Sequence, residues 1–169
     1  MTNPMNANPM PAPALTLLDP QTQLPGPDAL FTVLHQPVGR FTLLCVQVLN
    51  AHNVDTAPSA RDIEWTAHLL RHVAQRHEGI YRIDHARFAV TIDGSVENAG
   101  AMFRAAMERE LGALYARTQV HLRVVAADAT HLPGFEAPAE VLHHALRQLR
   151  QHVELERVDH AFQNLAMVG

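Results

Sequence analysis

The sequence predicts an α/β (α+β) fold in which one sheet is covered by helices. Two observations carry that expectation. Amphipathic helical segments alternate with short apolar strand segments along the chain, and a tight hairpin sits at the centre of the alternation. A length of 169 residues suffices to bury one sizeable core, and a hydrophobic content of 47% is ordinary for a globular domain.

The elements follow in order. Residues 1–14 hold four of the eleven prolines together with Asn and Ala, and are expected to be a disordered tail. The domain is expected over 15–153, with order beginning at Leu15–Leu18 and then a proline-rich turn from Asp19 to Pro27. Pro27 suits the first turn of a helix over 27–36, which Pro37 and Gly39 end. Phe41–Val48 is a near-continuous apolar run, as in a strand covered on both faces. A polar loop over 50–60 leads to a helix over 60–77 with Ile63, Ala67, Leu70 and Ala74 on one face and Ser59 as its N-cap. Gly79 stops it. Ile80–Ile83 and Arg87–Ile92 then form the hairpin around Asp84–Ala86. Asp93–Gly94 turns the chain into a helix over 96–116. Alternating Val120, Leu122, Val124 and Ala126 give a strand, and after the Leu132–Gly134 loop a helix spans 137–153. Residues 154–169 are expected to be a tail that is helical at first.

Composition excludes several functions. No apolar run is long enough to cross a membrane, and the first residues lack the charge and apolar stretch of a secretory signal, so residence in the cytoplasm is expected. The single cysteine, Cys45, allows no internal disulfide. All 13 basic residues are arginine within a net charge of −4, which argues against a nucleic-acid partner and excludes a P-loop lysine. Twelve histidines include His68, His72 and His77 at helical spacing and the adjacent pair His143 and His144. With no carboxylate or cysteine paired to them, they are expected to be surface residues and not metal ligands.

Against this background the chain resembles the GGDEF (diguanylate cyclase-type) family over about residues 15–150. Asp19, Thr22 and Leu24 match the family's opening D-x-L-T-x-L signature, with Pro25 also common there. Cys45–Val54 corresponds to the D-x-D-x-F-K-x-x-N-D stretch that ends the family's first strand. The name-giving loop falls on Asp84, His85, Ala86, Arg87 and Phe88, preceded by Arg82 as in R-x-G-G-D-E-F. The resemblance implies a nucleotide-cyclase palm-like fold: a central mixed sheet of about five strands with helices on both faces.

The family's enzymes join paired GTP molecules into cyclic di-GMP, using divalent cations held by carboxylates. Here the first-strand metal aspartate is Cys45, the loop acids are Ala86 and Arg87, and the paired glycines are Asp84 and His85. A guanidinium replaces an acid, and no single compensating carboxylate is visible, although Asp84 lies two residues from Ala86. Asp84 and His85 tolerate left-handed turn geometry, so the hairpin itself is expected to persist. The family lysine after the first-strand motif is Asn50, the C-terminal phosphate-binding lysine is absent, and the inhibitory product site aligns with the altered segment Gln75–Glu78. No catalysis, metal or cofactor is therefore expected.

Two guanine-recognising positions are kept, Asn53 and Asp62, which together could read a guanine edge. The plainer expectation is that Asn53 supports its loop and Asp62 its helix start. Asp19 and Arg82 are expected to pair, as in the family. The resulting expectation is a catalytically inactive GGDEF-like domain serving as a regulatory interaction module in bacterial signalling or assembly, its partner another protein or a second copy. The alternative is a non-catalytic receptor that binds a guanine nucleotide, GTP or cyclic di-GMP, weakly.

Overall fold

The computed structural model describes residues 17–36, 39–74, 79–93, 98–134 and 137–168. The expected disorder of residues 1–14, the glycine of the turn at Asp93–Gly94, Pro37, His77 and the Gln75–Glu78 segment lie outside the described residues. Among the described residues eight elements follow one another: α1 (Pro27–Leu34), β1 (Phe41–Leu49), α2 (Ala60–Val73), β2 (Gly79–Arg82), β3 (Arg87–Asp93), α3 (Ala99–Thr118), β4 (Arg123–His131) and α4 (Pro138–Val168).

The strands form one sheet in the order β2-β3-β1-β4. From β1 to β4 the chain thus follows the split βαββαβ pattern, with β3 inserted between β1 and the strand its crossover helix leads to. Every pairing among the described residues is antiparallel: β1 with β3, β1 with β4 and β2 with β3. The fold class is as expected, but among the described residues the sheet has four strands where about five were expected, and no parallel neighbours where a mixed sheet was expected. The cause lies in the hairpin: β3 returns antiparallel to β2 and takes the place beside β1 that a simple crossover would give to a parallel strand.

Both faces are covered. Leu44, Val46, Val48, Phe88, Val90 and Ile92 point to one side and pack with Ile63, Ala67 and Leu70 of α2 and Phe103 and Met107 of α3. Leu43, Cys45, Ala89, Val125 and Ala127 point to the other, against Leu30 and Leu34 of α1 and Val141, Ala145, Leu149 and Val153 of α4. Period-2 side chains on a doubly covered strand produce the unbroken apolar run that marks β1 in the sequence.

Local chemistry sets the element ends. Pro27 occupies the first turn of α1. Ser59 caps α2, accepting from the Asp62 amide at 3.1 Å while the Asp62 carboxylate accepts from the Ser59 amide at 3.2 Å, a reciprocal capping box. Two elements depart from expectation. β4 begins three residues later than the alternation from Val120 implied and runs on to His131, because its length is dictated by pairing with β1 from Leu49↔Arg123 to Phe41↔His131. The expected tail over 154–168 is not separate: α4 is one helix of 31 residues.

The two glycines of α3 make a paired test of packing. A Cβ on Gly100 would lie 2.4 Å from Asp128 Oδ2, and Asp128 is itself held by Arg104 at 3.1 Å. A Cβ on Gly112 would meet nothing within 4 Å. Urea unfolding should therefore show Gly100→Ala losing about 1–3 kcal/mol, and Gly112→Ala gaining about 0.5–1 kcal/mol. A gain from both substitutions would refute the close approach of α3 to β4.

Candidate functional site

Of the residues singled out in the sequence, Asp19, Thr22, Arg82 and the Asp84–Phe88 loop come together where the β2–β3 hairpin meets the loop before α1. That loop, Asp19–Pro25, is closed on itself. The Gln23 amide donates to the Asp19 carbonyl at 2.7 Å, and the Asp19 amide to the Leu24 carbonyl at 2.7 Å. One carboxylate oxygen of Asp19 accepts from the Thr22 amide at 2.8 Å and the Thr22 hydroxyl at 2.6 Å. The same oxygen accepts from Arg82 at 2.8 Å, so the residues expected to pair are in contact.

Arg82 does more than meet Asp19. Its Nη1 also donates to Gln21 Oε1 at 2.7 Å, its Nε to the Asp84 carbonyl at 3.0 Å and its Nη2 to the His85 carbonyl at 3.2 Å. Its backbone amide donates to the Pro25 carbonyl at 2.8 Å. One guanidinium thus fixes the hairpin tip to the Asp19 loop, a task suited to a planar, always charged group with several donors. The loop is tied on its other side to α2, where Arg71 donates to the Thr22 carbonyl and Gln21 to the Ala60 carbonyl. Arg71 and Gln21 drew no attention in the sequence, because nothing in a helical or turn pattern reports a contact made across 49 or 39 positions.

At the tip, the Asp84 carboxylate works in both directions. One oxygen accepts from the amides of Ala86 and Arg87, each at 3.0 Å, and the other from Arg87 Nε at 2.7 Å and Nη2 at 2.6 Å. Two expectations need correction here. Left-handed backbone among the described residues occurs at Gln23, Asn98, Gln119 and Gly134, not at Asp84 or His85. The side chain of Asp84, and not a positive φ, shapes the turn. Asp84 is also the carboxylate that neutralises Arg87, which the sequence alone did not reveal. His85 projects into solvent, whereas Ala86 and Phe88 are buried.

Cys45 lies in the middle of β1, opposite Ala89 on β3 and Ala127 on β4, and is 0% exposed. Burial pushes its thiol up to about 12, a rise that the positive charge of Arg87 only partly opposes. At neutral pH it is an uncharged thiol in an apolar row.

Asn53 and Asp62 are committed to local structure. Asn53 Oδ1 accepts from the Asp55 amide at 3.0 Å, and its carbonyl from the Thr56 hydroxyl at 2.9 Å. Asn50 Oδ1 braces the same loop through the amides of His52 and Asn53. The Asp62 carboxylate serves the α2 cap. Neither residue lines the cleft of about 940 Å³ that opens between Leu17–Asp19, α1 and the hairpin from Tyr81 to His85. Among the histidines, His72 was expected to lack a carboxylate partner, but Glu110 of α3 comes within 3.5 Å of it, an interhelical contact invisible in either helix alone. Among the described residues no group of three or more His, Cys, Asp or Glu side chains is placed to hold a metal ion. No helix there is long and apolar enough to cross a membrane.

Both acids of the hairpin junction have depressed pKa values. Burial pulls the Asp19 carboxyl up, but hydrogen bonds from Thr22 and Arg82 outweigh it and hold it below 3.8. Burial likewise raises Asp84, and the bonds from Arg87 and the Ala86 amide overcome it. The unfolded chain therefore binds more protons in acid, so this stabilisation is complete above the ordinary carboxylate value and lost as pH falls through the folded values. Unfolding midpoints should decline below about pH 4, and the decline should be shallower in Asp84→Asn. At neutral pH, Asp19→Ala should cost about 2 kcal/mol, since it leaves the half-buried Arg82 without its carboxylate. A neutral-pH melting curve unchanged by Asp19→Ala would contradict the junction's role.

No protein-family model matches the chain, and no curated protein does. Solved structures do resemble it. The GGDEF domain of YfiN (TpbB) from Pseudomonas aeruginosa superposes with a TM-score of 0.68 at 16% identity, covering 82% of this chain and 90% of that one. The GGDEF domain of DgcB from Caulobacter crescentus, in complex with c-di-GMP, gives 0.66 at 17% identity, covering 83% and 91%. The diguanylate cyclase SiaD from Pseudomonas aeruginosa, in complex with its activator SiaC, gives 0.65 at 14% identity, covering 80% of this chain and 57% of that one. With its sheet, its two helical layers and its hairpin so matched, the chain is a GGDEF-like domain in fold.

Proposed function

We infer that this chain is a GGDEF-like domain without diguanylate cyclase activity, which acts as a regulatory module by binding protein. One observation carries the reading. At the positions that the family resemblance assigns to cation-holding acids stand a buried neutral thiol, Cys45, and a guanidinium, Arg87, whose charge Asp84 already balances. Magnesium and manganese take oxygen ligands with negative charge. Cys45 offers a protonated sulfur, Ala86 offers nothing, and the Asp84 oxygens are filled by Arg87 and two backbone amides. Phosphoryl chemistry in this family depends on those ions. The junction of Arg82 with Asp19 holds the hairpin in place, so these residue types stand in an intact hairpin. That SiaD is found in complex with an activator protein makes protein binding a reasonable role for this fold.

The alternative, a receptor that binds a guanine nucleotide without metal through Asn53 and Asp62, draws support from the DgcB complex with c-di-GMP. It is the weaker reading, because the Asn53 amide oxygen and the Asp62 carboxylate are already engaged by Asp55 and Ser59. Titration calorimetry with GTP, GDP and cyclic di-GMP separates the two; heat with a defined midpoint, abolished in Asp62→Ala, would favour the receptor.

Incubation of the chain with GTP and magnesium or manganese should yield no cyclic dinucleotide, and any metal-dependent product would overturn the reading. Cys45 should resist a thiol reagent in the native state and react at a rate set by unfolding, since almost none of it is thiolate at neutral pH. Fast labelling of the folded chain would mean that β1 is open to solvent at Cys45.

A further inference from the structure

Where α2 and α3 pack side by side, their outer surface holds a small hollow of about 110 Å³, lined among others by Trp65, His68 and His72 of α2 and by Glu110 and Arg117 of α3. The packing gives His72 a carboxylate neighbour: Glu110 Oε2 stands 3.5 Å from His72 Nε2. That is longer than an ordinary N–H···O hydrogen bond. It does match the spacing of two ligands on one zinc ion, because bonds of about 2.0–2.2 Å at the tetrahedral angle leave nitrogen and oxygen about 3.4 Å apart. His68 lies one helical turn before His72, so the two share a face with Cβ atoms about 6 Å apart. Two imidazoles at this spacing on one helix, joined by a carboxylate from elsewhere, make up the zinc set of one class of metalloprotease.

We propose that His68, His72 and Glu110 form a zinc site that clamps α2 to α3. As the side chains stand, His72 and Glu110 face each other, whereas the His68 ring lies edge-on to Trp65 with centroids 5.9 Å apart, so three ligands do not yet converge. His68 is exposed and His72 keeps 64% of its side chain open, so both can reorient without disturbing the core. A change of staggered well turns the His68 ring off Trp65 and towards His72. Water takes the fourth position. Zinc suits two imidazoles and a carboxylate, whereas magnesium demands oxygen. Charge favours the ion as well. Glu110 offsets half of its charge, and Arg117 stands seven residues further along α3, about 10 Å along the helix axis from Glu110. Leu69, which is buried, occupies the position at which the protease motif carries its glutamate base, so the site binds metal without hydrolysis. The site belongs to the α2–α3 side of the sheet and Cys45 to the other, so it and the cyclase reading can fail separately.

Trp65 is the single tryptophan of the chain, so its emission reports on this hollow alone. Titrating the full chain with zinc chloride should change that emission to a plateau as His68 leaves the indole ring, and magnesium chloride should not. Calorimetry follows the same midpoint where removal of His68 removes the optical signal. Loss of an outer partner ordinarily weakens a metal site about 10–100-fold, and loss of a ligand costs at least as much. His68→Ala, His72→Ala and Glu110→Gln should therefore each raise the zinc midpoint at least about tenfold, with the far-UV circular dichroism of the folded chain unchanged. His143→Ala, exposed on α4, should leave the midpoint in place. An emission unmoved by zinc in large excess overturns the proposal, since His72 and Glu110 are then an ion pair only. So does a midpoint indifferent to any one of the three ligand substitutions, as when other histidines hold the ion, or an equal response to magnesium.

Discussion

The Arg82 guanidinium joins parts of the chain that would otherwise be separate. A hairpin tip leaves carbonyls that its strand ladder does not satisfy, and these need donors from elsewhere. Arg82 supplies donors to the carbonyls of Asp84 and His85, to Gln21 and to the carboxylate of Asp19. Its position is in turn fixed by its backbone bond to Pro25. Because Arg71 and Gln21 fasten the other side of the same loop to α2, the Asp19–Pro25 segment bridges the sheet edge and a helix of the opposite layer. The positions of α2, the loop and the hairpin are therefore coupled.

That coupling explains how the hairpin keeps its place without glycines at its tip. Paired glycines allow a turn through backbone freedom. Here Asp84 makes the turn by hydrogen-bonding the amides two and three residues on, and the same carboxylate absorbs the charge of Arg87. A carboxylate spent on an internal ion pair and two amides presents little free charge to solvent. A lone guanidinium or a lone acid would make the tip an electrostatic landmark, whereas the pair makes it nearly neutral. The thiol of Cys45, between alanines of both neighbouring strands, extends that neutrality down the sheet.

What the sequence revealed divides along physical lines. Elements defined by their own periodicity were legible: Phe41–Val48 as a strand buried on both faces, α2 with its Ser59 cap, and the hairpin flanked by Arg82 and Phe88. Features set by a distant partner were not. The length of β4 follows from β1, the all-antiparallel order follows from where β3 inserts, and the contact of His72 with Glu110 exists only once α2 and α3 are side by side. At the candidate site the identities of the residues at the positions that the family resemblance assigns to ligands were readable directly. The role of Asp84 was not, because it depends on side-chain direction within a three-residue turn. The pairing of Asp19 with Arg82 was accessible only through family resemblance, since 63 positions separate the two.

The misreading of residues 154–168 as a partial tail has the same origin and a further consequence. The core-facing row of α4 ends at Val153, and the next apolar residues fall on the other side of the helix. Read as a single stripe, the pattern seems to stop, so the helix seems to fray. Read against a sheet that fixes which side is inward, it becomes a continuous helix whose apolar face changes sides. A helix that merely frayed would lose hydrophobic content in its last turns, and this one keeps it at heptad spacing. Exposed apolar rows favour aggregation unless something covers them, and this row is ordered in advance by the anchored first half of the helix. The internally balanced hairpin and this row divide the surface between them: the hairpin tip is nearly neutral, and apolar side chains lie open to solvent on the far side of α4.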